Sequence, residues 1–374
     1  MAYGSGERTG SVILGENLRP GAAREVWVRF PRQLGDVIFS LPFFGTLQAR
    51  WNAVARERGA ELRWIAVGHA IGAALFSEAR EDFIARTVIE KGGEGKPEPL
   101  ALRKAWKAEA PVAVINLSQS VRLALAARMA GVPIRAGIAD NRLRLLYTHP
   151  FRYRDLDVHC ARRFAPLLAL LTGDDRLDWM RLGPHNLGGA SGLDLLRSSG
   201  WDGRPFVGLA FGTRGDSKRW RPEAELWPDL ARRILAQGLA AVWLGGPDER
   251  ELGARLADLA PGSLDLCGRT SLPQSTAIQA AAYGTVAVDT GLAHTGAATG
   301  RPLVCINVHS YEHLVAPQGP HAALLRPPEV AMDPAERDLG PDLRGDRVTP
   351  ARVLNTLHLL AREAAGRDLE PWRP

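Results

Sequence analysis

Cysteine and lysine are scarce in this 374-residue chain, with three of the former and five of the latter. Cys160, Cys267 and Cys305 are scattered and odd in number, which argues against a disulfide framework and against a zinc site, so buried thiols are expected. No apolar run approaches the roughly 20 residues that span a bilayer. Residues Met1 to Pro20 lack the apolar stretch of a signal peptide, so a cytoplasmic protein is expected. Neither a short-period repeat nor a low-complexity tract is present. HExxH and Cys/His clusters are missing too, and the one D-x-D triplet, Asp155-Leu156-Asp157, sits among arginines in the first half of the chain, away from the strand ends where a donor site is expected. The basic segments lack aromatic interleaving and any nucleic-acid reading motif, so no nucleic-acid partner is expected.

Charged residues make up 24% and hydrophobic residues 45% of the chain, the balance of a folded globular protein. The length suits two α/β domains rather than one core. After a Gly-rich start expected to be loose (1–24), strands are expected at Glu25 to Phe30, Leu62 to Val67 and Val112 to Asn116. Val37, Ile38, Leu41, Phe44, Leu47 and Trp51 recur at helical spacing behind the first of them. This alternation predicts a parallel sheet built from βαβ units over 25–185. The same alternation resumes near Arg204, giving a second domain over 193–345. Pro184 to Gly192 reads as the linker, and residues 346–374 hold an amphipathic helix, Pro350 to Ala365, expected to pack back on the first domain.

Positive charge is uneven. Residues 1–190 hold 27 Lys and Arg against 19 Asp and Glu, whereas 191–374 hold 20 against 22. Nine arginines fall within 122–163, a face suited to an anionic acceptor or an anionic membrane surface; a merely solvated arginine-rich surface is the plainer alternative.

The most informative segment is Val286-Ala287-Val288-Asp289-Thr290-Gly291-Leu292-Ala293-His294. It reads as the end of a buried strand, a turn, and a helix whose first N–H groups lack intrahelical acceptors. Such a helix start holds phosphate, and Asp289 at the strand end can accept hydrogen bonds from sugar hydroxyls. Asp and Thr also suit a plain helix N-cap. Two more polar clusters follow expected strands: Gly212 to Trp220 after Phe206 to Phe211, and Gly245-Gly246-Pro247-Asp248-Glu249 after Ala240 to Leu244. Ligands of open α/β sheets collect at such strand ends, and a nucleoside-diphosphate site is expected there.

Gln33-Leu34-Gly35-Asp36-Val37-Ile38 with Leu41-Pro42, Lys218-Arg219-Trp220, the Gly245 to Glu249 cluster and Asp289 to His294 occur in the order found in ADP-heptose:lipopolysaccharide heptosyltransferases. The chain resembles that family, glycosyltransferase family nine, from about Val26 to His358. The resemblance implies the GT-B fold, α/β with two facing Rossmann-like domains, parallel sheets and a central cleft. It implies an inverting, metal-independent enzyme with ADP-heptose as donor, no cofactor, and an anionic glycolipid acceptor, the lipopolysaccharide inner core, met at the inner face of the cytoplasmic membrane. Two other readings stay open: a related ADP-sugar transferase with a protein or small-molecule acceptor, and a nucleotide-sugar-binding homologue without catalysis.

Roles follow from the resemblance. Asp36 matches the proposed base, the proton acceptor an attacking hydroxyl needs, with a helix N-cap as its plain alternative. Lys218, Thr213 and the N–H groups of Thr290 and Gly291 match the positions that stabilise the leaving diphosphate. Glu249 matches the ribose-binding carboxylate, or else begins a helix. Asp289 is expected on the transferred sugar. His294 either touches phosphate, orients Asp289 or is simply buried. Arg32, Arg122 and Arg142 are candidates for the acceptor. The chain departs from the family at Pro31-Arg32-Gln33 and at Asn307 to His313; a metal site from His309, Glu312 and His313 is not expected without a fourth partner.

Overall fold

The computed structural model describes residues 9–90, 99–139, 143–152, 158–213, 218–306, 312–326 and 348–366. The chain forms two units, Met1–Met180 and Arg181–Pro374.

The first unit is a six-stranded sheet of β1 (Ala23–Arg29), β2 (Glu61–His69), β3 (Arg86–Glu90), β4 (Ala113–Asn116), β5 (Ile134–Ile138) and β6 (His149–Phe151). All pairs are parallel and the order is β3-β2-β1-β4-β5-β6. The winding therefore reverses between β1 and β4, and the carboxyl ends of those two strands border the crevice where doubly wound sheets bind ligands. Helix α1 (Gly10–Asn17) precedes β1, helix α2 (Leu34–Glu57) leaves β1 there, and the helix Val121–Ala130 leaves β4. The apolar stripe from Val37 to Trp51 that predicted α2 is buried throughout. It packs Phe44 edge-on against Phe30, Trp64 and Phe83 at centroid distances of 5.4 to 5.5 Å, a geometry aromatic quadrupoles favour.

The second unit repeats that winding. Its strands are β7 (Phe206–Ala210), β8 (Ala240–Trp243), β9 (Leu264–Asp265), β10 (Gly284–Val288), β11 (Leu303–Ile306) and β12 (Ala322–Leu325), all parallel, in the order β12-β11-β10-β7-β8-β9. The reversal now falls between β7 and β10. These two strands, with β8 and β11, are buried along their whole length, which is why they read as continuous apolar runs rather than alternating ones. Trp220, Trp227 and Trp243 form the centre of the core on one face, with Trp220 Nε1 donating to the Val348 carbonyl at 2.9 Å.

Three expectations about boundaries need correction. The segment 1–24 was expected to be loose, but Gly10–Asn17 is a helix. Its Leu14 is fully buried, and Ser11 Oγ donates to the Leu171 carbonyl at 2.9 Å. Gly10 sits so close to Leu171 that a Cβ there would lie 2.8 Å from it, so the glycine serves contact rather than looseness.

The chain divides at Met180 and Arg181, ahead of the expected linker. Pro184–Leu187 is a helical turn and Ser191–Ser198 a helix. Gly189, at φ +76°, lies against the backbone of Pro273 and Gln274, where a Cβ would come within 2.3 Å. Its composition looked like a linker because close backbone approach and flexibility both call for glycine.

The helix Pro350–Ala365, expected on the first domain, packs on β10, β11, β12 and the helix Glu223–Ala236 of the second unit. His358 fastens it, bonding Tyr283 through Nδ1 at 2.8 Å and Gln237 through Nε2 at 2.6 Å. Its apolar stripe, Val353, Leu354 and Leu357, completes the tryptophan-rich core, and amphipathicity alone does not say which core a helix covers.

Candidate functional site

At the reversal point of the second unit, β10 ends and Asp289 follows it, almost wholly buried. Thr290 occupies the N-cap of the helix Gly291–Ala298 with extended backbone, and its hydroxyl makes no capping bond. The neighbouring loop after β7 brings Lys218 across, and Lys218 Nζ donates to Asp289 Oδ2 at 2.6 Å. About a third of the Lys218 side chain stays exposed, against 9% of Asp289, so the lysine is the more accessible member of the pair. On the other side, His294 Nε2 stands 3.8 Å from Asp289 Oδ1, beyond hydrogen-bond length. One carboxylate is thus flanked by a cation and an imidazole at the amino end of a helix, where backbone dipoles favour negative charge.

The first turn of that helix is anchored from beneath. Fully buried Gln279 donates Nε2 to the Leu292 carbonyl at 2.8 Å and accepts from Thr295 Oγ1 at 2.7 Å. A Cβ on Gly296 would lie 2.9 Å from Gln279 Nε2, so glycine there lets the amide come close. Sequence reading missed Gln279, because nothing local marks a glutamine as the partner of a helix 13 residues away.

Glu249 lies at the carboxyl end of β8, in the 3₁₀ turn Pro247–Glu249. Its Oε2 accepts the Gly246 N–H at 2.8 Å, and Glu249 stands at the N-cap of the helix Arg250–Leu259. The side chain also lies on the loop after β7: a Cβ at Gly212 would come within 2.4 Å of Glu249 Cγ. Gly212, Glu249, Lys218 and Asp289 therefore all stand at the carboxyl ends of β7, β8 and β10. Thr213 follows in the same loop, half-buried. Cys305 in β11 is buried close by. Desolvation first, and then the Asp289 charge, push its thiol well above the ordinary range, so it stays protonated and inert.

In the first unit, Asp36 occupies the first turn of α2, just beyond the carboxyl end of β1. The residue is exposed, yet neighbouring protein atoms partly desolvate its carboxyl. Desolvation raises its pKa above the ordinary carboxylate value, and Arg163 partly offsets the rise. Arg163 belongs to the 3₁₀ turn Cys160–Phe164, which lies along α2 with His159 edge-on to Phe39 at 5.1 Å. Sequence reading placed Arg163 in a general basic face; its closeness to Asp36 arises only from packing across more than a hundred residues of chain.

A second polar group lines the same strand ends. Arg29, last in β1, donates to Ser118 Oγ, and buried Asn116, last in β4, donates to the Tyr147 hydroxyl at 2.9 Å. Arg32 is exposed in the loop after β1, and Arg122 is exposed on the first turn of Val121–Ala130. Both therefore leave the carboxyl edge that carries Asp36. Arg142, Asp155, Asp157 and His309 lie outside the described residues, as do the side chains of Glu312 and His313. Among the described residues, no three His, Cys, Asp or Glu side chains converge as metal ligands would.

Residues 100–335, more than half of the chain, match glycosyltransferase family 9 (heptosyltransferase). Lipopolysaccharide heptosyltransferase 2 of Salmonella typhimurium is 29% identical over 168 residues, 43% of this chain and 48% of that protein, so the chain spans about half the length of this relative. The structure of E. coli ADP-heptose LPS heptosyltransferase II superposes with a TM-score of 0.71 at 23% identity, covering 91% of this chain and 99% of that one. E. coli heptosyltransferase WaaC with ADP gives 0.65 at 21% identity, covering 90% and 99%. With two Rossmann-type units and that match in hand, the chain belongs to glycosyltransferase family 9, the heptosyltransferase family, and its fold is GT-B.

Proposed function

We propose that this protein is an inverting, metal-independent glycosyltransferase that moves a heptose from ADP-heptose to an anionic acceptor of the lipopolysaccharide inner core, working on the cytoplasmic side at the membrane surface. The observation that carries the donor half is the Lys218 and Asp289 pair at the start of the helix Gly291–Ala298. A diphosphate arriving there meets the Lys218 ammonium and helix N–H groups, while Asp289 turns an oxygen to sugar hydroxyls once Lys218 shifts toward phosphate. Glu249, held beside Gly212, is placed in this reading on the ribose, and Thr213 on a phosphate oxygen. His294 steadies Asp289. That a family member has been solved with ADP accords with the reading.

In the transfer itself, an acceptor hydroxyl attacks the anomeric carbon from the face opposite the diphosphate. The new C–O bond forms as the C–O bond to phosphate breaks; the hydroxyl proton passes to Asp36, and the electron pair leaves with ADP. Lys218 and the helix start stabilise that growing charge without a metal. Burial raises the Asp36 pKa, which suits a proton acceptor, and the Arg163 charge opposes that rise. Arg32, Arg122 and Arg142 offer cations to acceptor phosphate or carboxylate groups.

The test combines purified protein, ADP-heptose and heptose-free lipopolysaccharide core, with ADP release and product mass as readouts. Transfer with inversion, undiminished by EDTA, is expected; strict metal dependence or hydrolysis alone would overturn the reading. Asp36→Asn is expected to lower transfer by about 10²- to 10⁴-fold, the usual span of general base catalysis, with ADP affinity unchanged by calorimetry.

A further inference from the structure

The helix Val121–Ala130 buries Leu123, Ala124, Ala126 and Ala127. Its opposite face is not polar. Val121, Leu125 and Met129, at successive i+4 positions, are all exposed and form a stripe along the helix. Leu145, in the 3₁₀ turn Arg144–Leu146, is 77% exposed and extends this apolar surface. Arg128 holds the two elements together, donating Nη1 to the Leu145 carbonyl at 2.6 Å. Scattered exposed leucines are ordinary; four aliphatic side chains on adjoining elements are a patch.

The charged residues on the two elements that form the patch, Arg122, Arg128 and Arg144, are all positive. Not one Asp or Glu occurs between Ala110 and Ala139. Arg122, Arg128 and Arg144 are exposed at its border, and among the described residues none of them pairs with a carboxylate. Arg128 is close enough to Arg135 for their like charges to be felt. An aliphatic stripe rimmed by exposed guanidiniums matches an anionic lipid surface, whose acyl region takes the stripe and whose headgroups take the arginines. A second copy of the chain fits badly, since a two-fold contact would set each arginine row against its own image.

From this juxtaposition the geometry points to the face formed by Val121–Ala130 and Arg144–Leu146 as the surface by which the protein docks on an anionic bilayer. The inference deepens the proposed function, resting on a lipid-borne acceptor. The helix starts from the carboxyl end of β4, next to the strand whose end leads to Asp36. An acceptor headgroup raised from a bilayer under this face would therefore enter at the sheet edge that carries the base.

Sedimentation of the full chain with vesicles tests this, comparing pure phosphatidylcholine with an equal mixture of phosphatidylcholine and phosphatidylglycerol. Binding to the mixed vesicles alone is expected, with release as salt rises. Leu125→Glu with Leu145→Glu should abolish it, and Arg144→Gln should weaken it by about fivefold, the effect of one basic residue near an anionic surface. All three positions are exposed, so folding is spared, and transfer to a delipidated, water-soluble core acceptor should be unchanged. Equal binding to both vesicles, no binding to either, or undiminished binding by the double variant would overturn the inference. So would a concentration-dependent dimer, seen in sedimentation velocity, that the double variant dissolves. Turnover of the soluble acceptor without vesicle binding would sink the docking face alone, whereas vesicle binding without turnover would sink the transferase reading alone.

Discussion

The two units wind their strands in the same order yet furnish the ends of those strands differently. In the second unit the reversal point is closed and finely seated: Glu249 rests against Gly212, Gln279 clamps the helix start, and Lys218 neutralises Asp289. The first unit leaves its reversal point lined with cations and open to solvent at Arg32, Arg122 and Asp36. Its half of the chain also carries the surplus of positive charge. One topology thus supports two recognition styles. A small, rigid diphosphate is suited by fixed donors, and a large anionic acceptor by an exposed basic margin.

Within the second unit, removing the cation from the closed site should have the largest effect. Lys218→Ala is expected to lower kcat by about 10²- to 10³-fold, the scale for losing one preorganised donor to a leaving oxyanion, and to weaken ADP in calorimetry. A variant with wild-type kcat would mean that the cation at the reversal point of the second unit is dispensable for transfer.

Next comes the seat of Glu249. Gly212→Ala places a methyl 2.4 Å from Glu249 Cγ, so the carboxylate must leave its place on Gly246 N–H. Overpacking of this kind costs about 1 to 3 kcal/mol. A matching fall in the unfolding temperature and weaker ADP binding are expected, while vesicle binding stays intact. Wild-type stability would show the second unit to be looser than its packing implies.

The smallest effect lies in the open unit. Burial raises the Asp36 pKa and Arg163 opposes it, so activity is expected to fall, as pH drops, above the ordinary carboxylate range. Arg163→Ala removes the opposing cation, raises the Asp36 pKa further and moves the acid limb of kcat/KM to higher pH. The sign for folding agrees: a carboxyl whose pKa rises on folding destabilises the native state once it ionises, so losing Arg163 lowers stability above that pKa and not below it. A pH–rate profile on both proteins decides; a limb that stays put would detach Arg163 from the base.

Some of this was readable from local pattern. Strands β7, β8 and β10 and the turn from Asp289 into the helix Gly291–Ala298 stand where the apolar runs and polar breaks put them. So does the apolar face of α2, because a helix repeats every 3.6 residues whatever lies beyond it. Val121, Leu125 and Met129 show where periodicity misleads. They keep helical spacing like a core stripe, but Leu123, Ala124, Ala126 and Ala127 took the buried side.

Composition and periodicity, then, dictated two wound sheets and the strand ends where polar residues gather, since both are decided by neighbours a few positions away. Which of those residues meet was decided in three dimensions. Lys218 reaches Asp289 across 71 positions, Arg163 comes to Asp36 from a turn folded along α2, and the glycines at 189 and 212 serve close packing rather than flexibility. Such pairings depend on the winding of the whole sheet and on which faces lie against one another, and no local window of the chain carries that information.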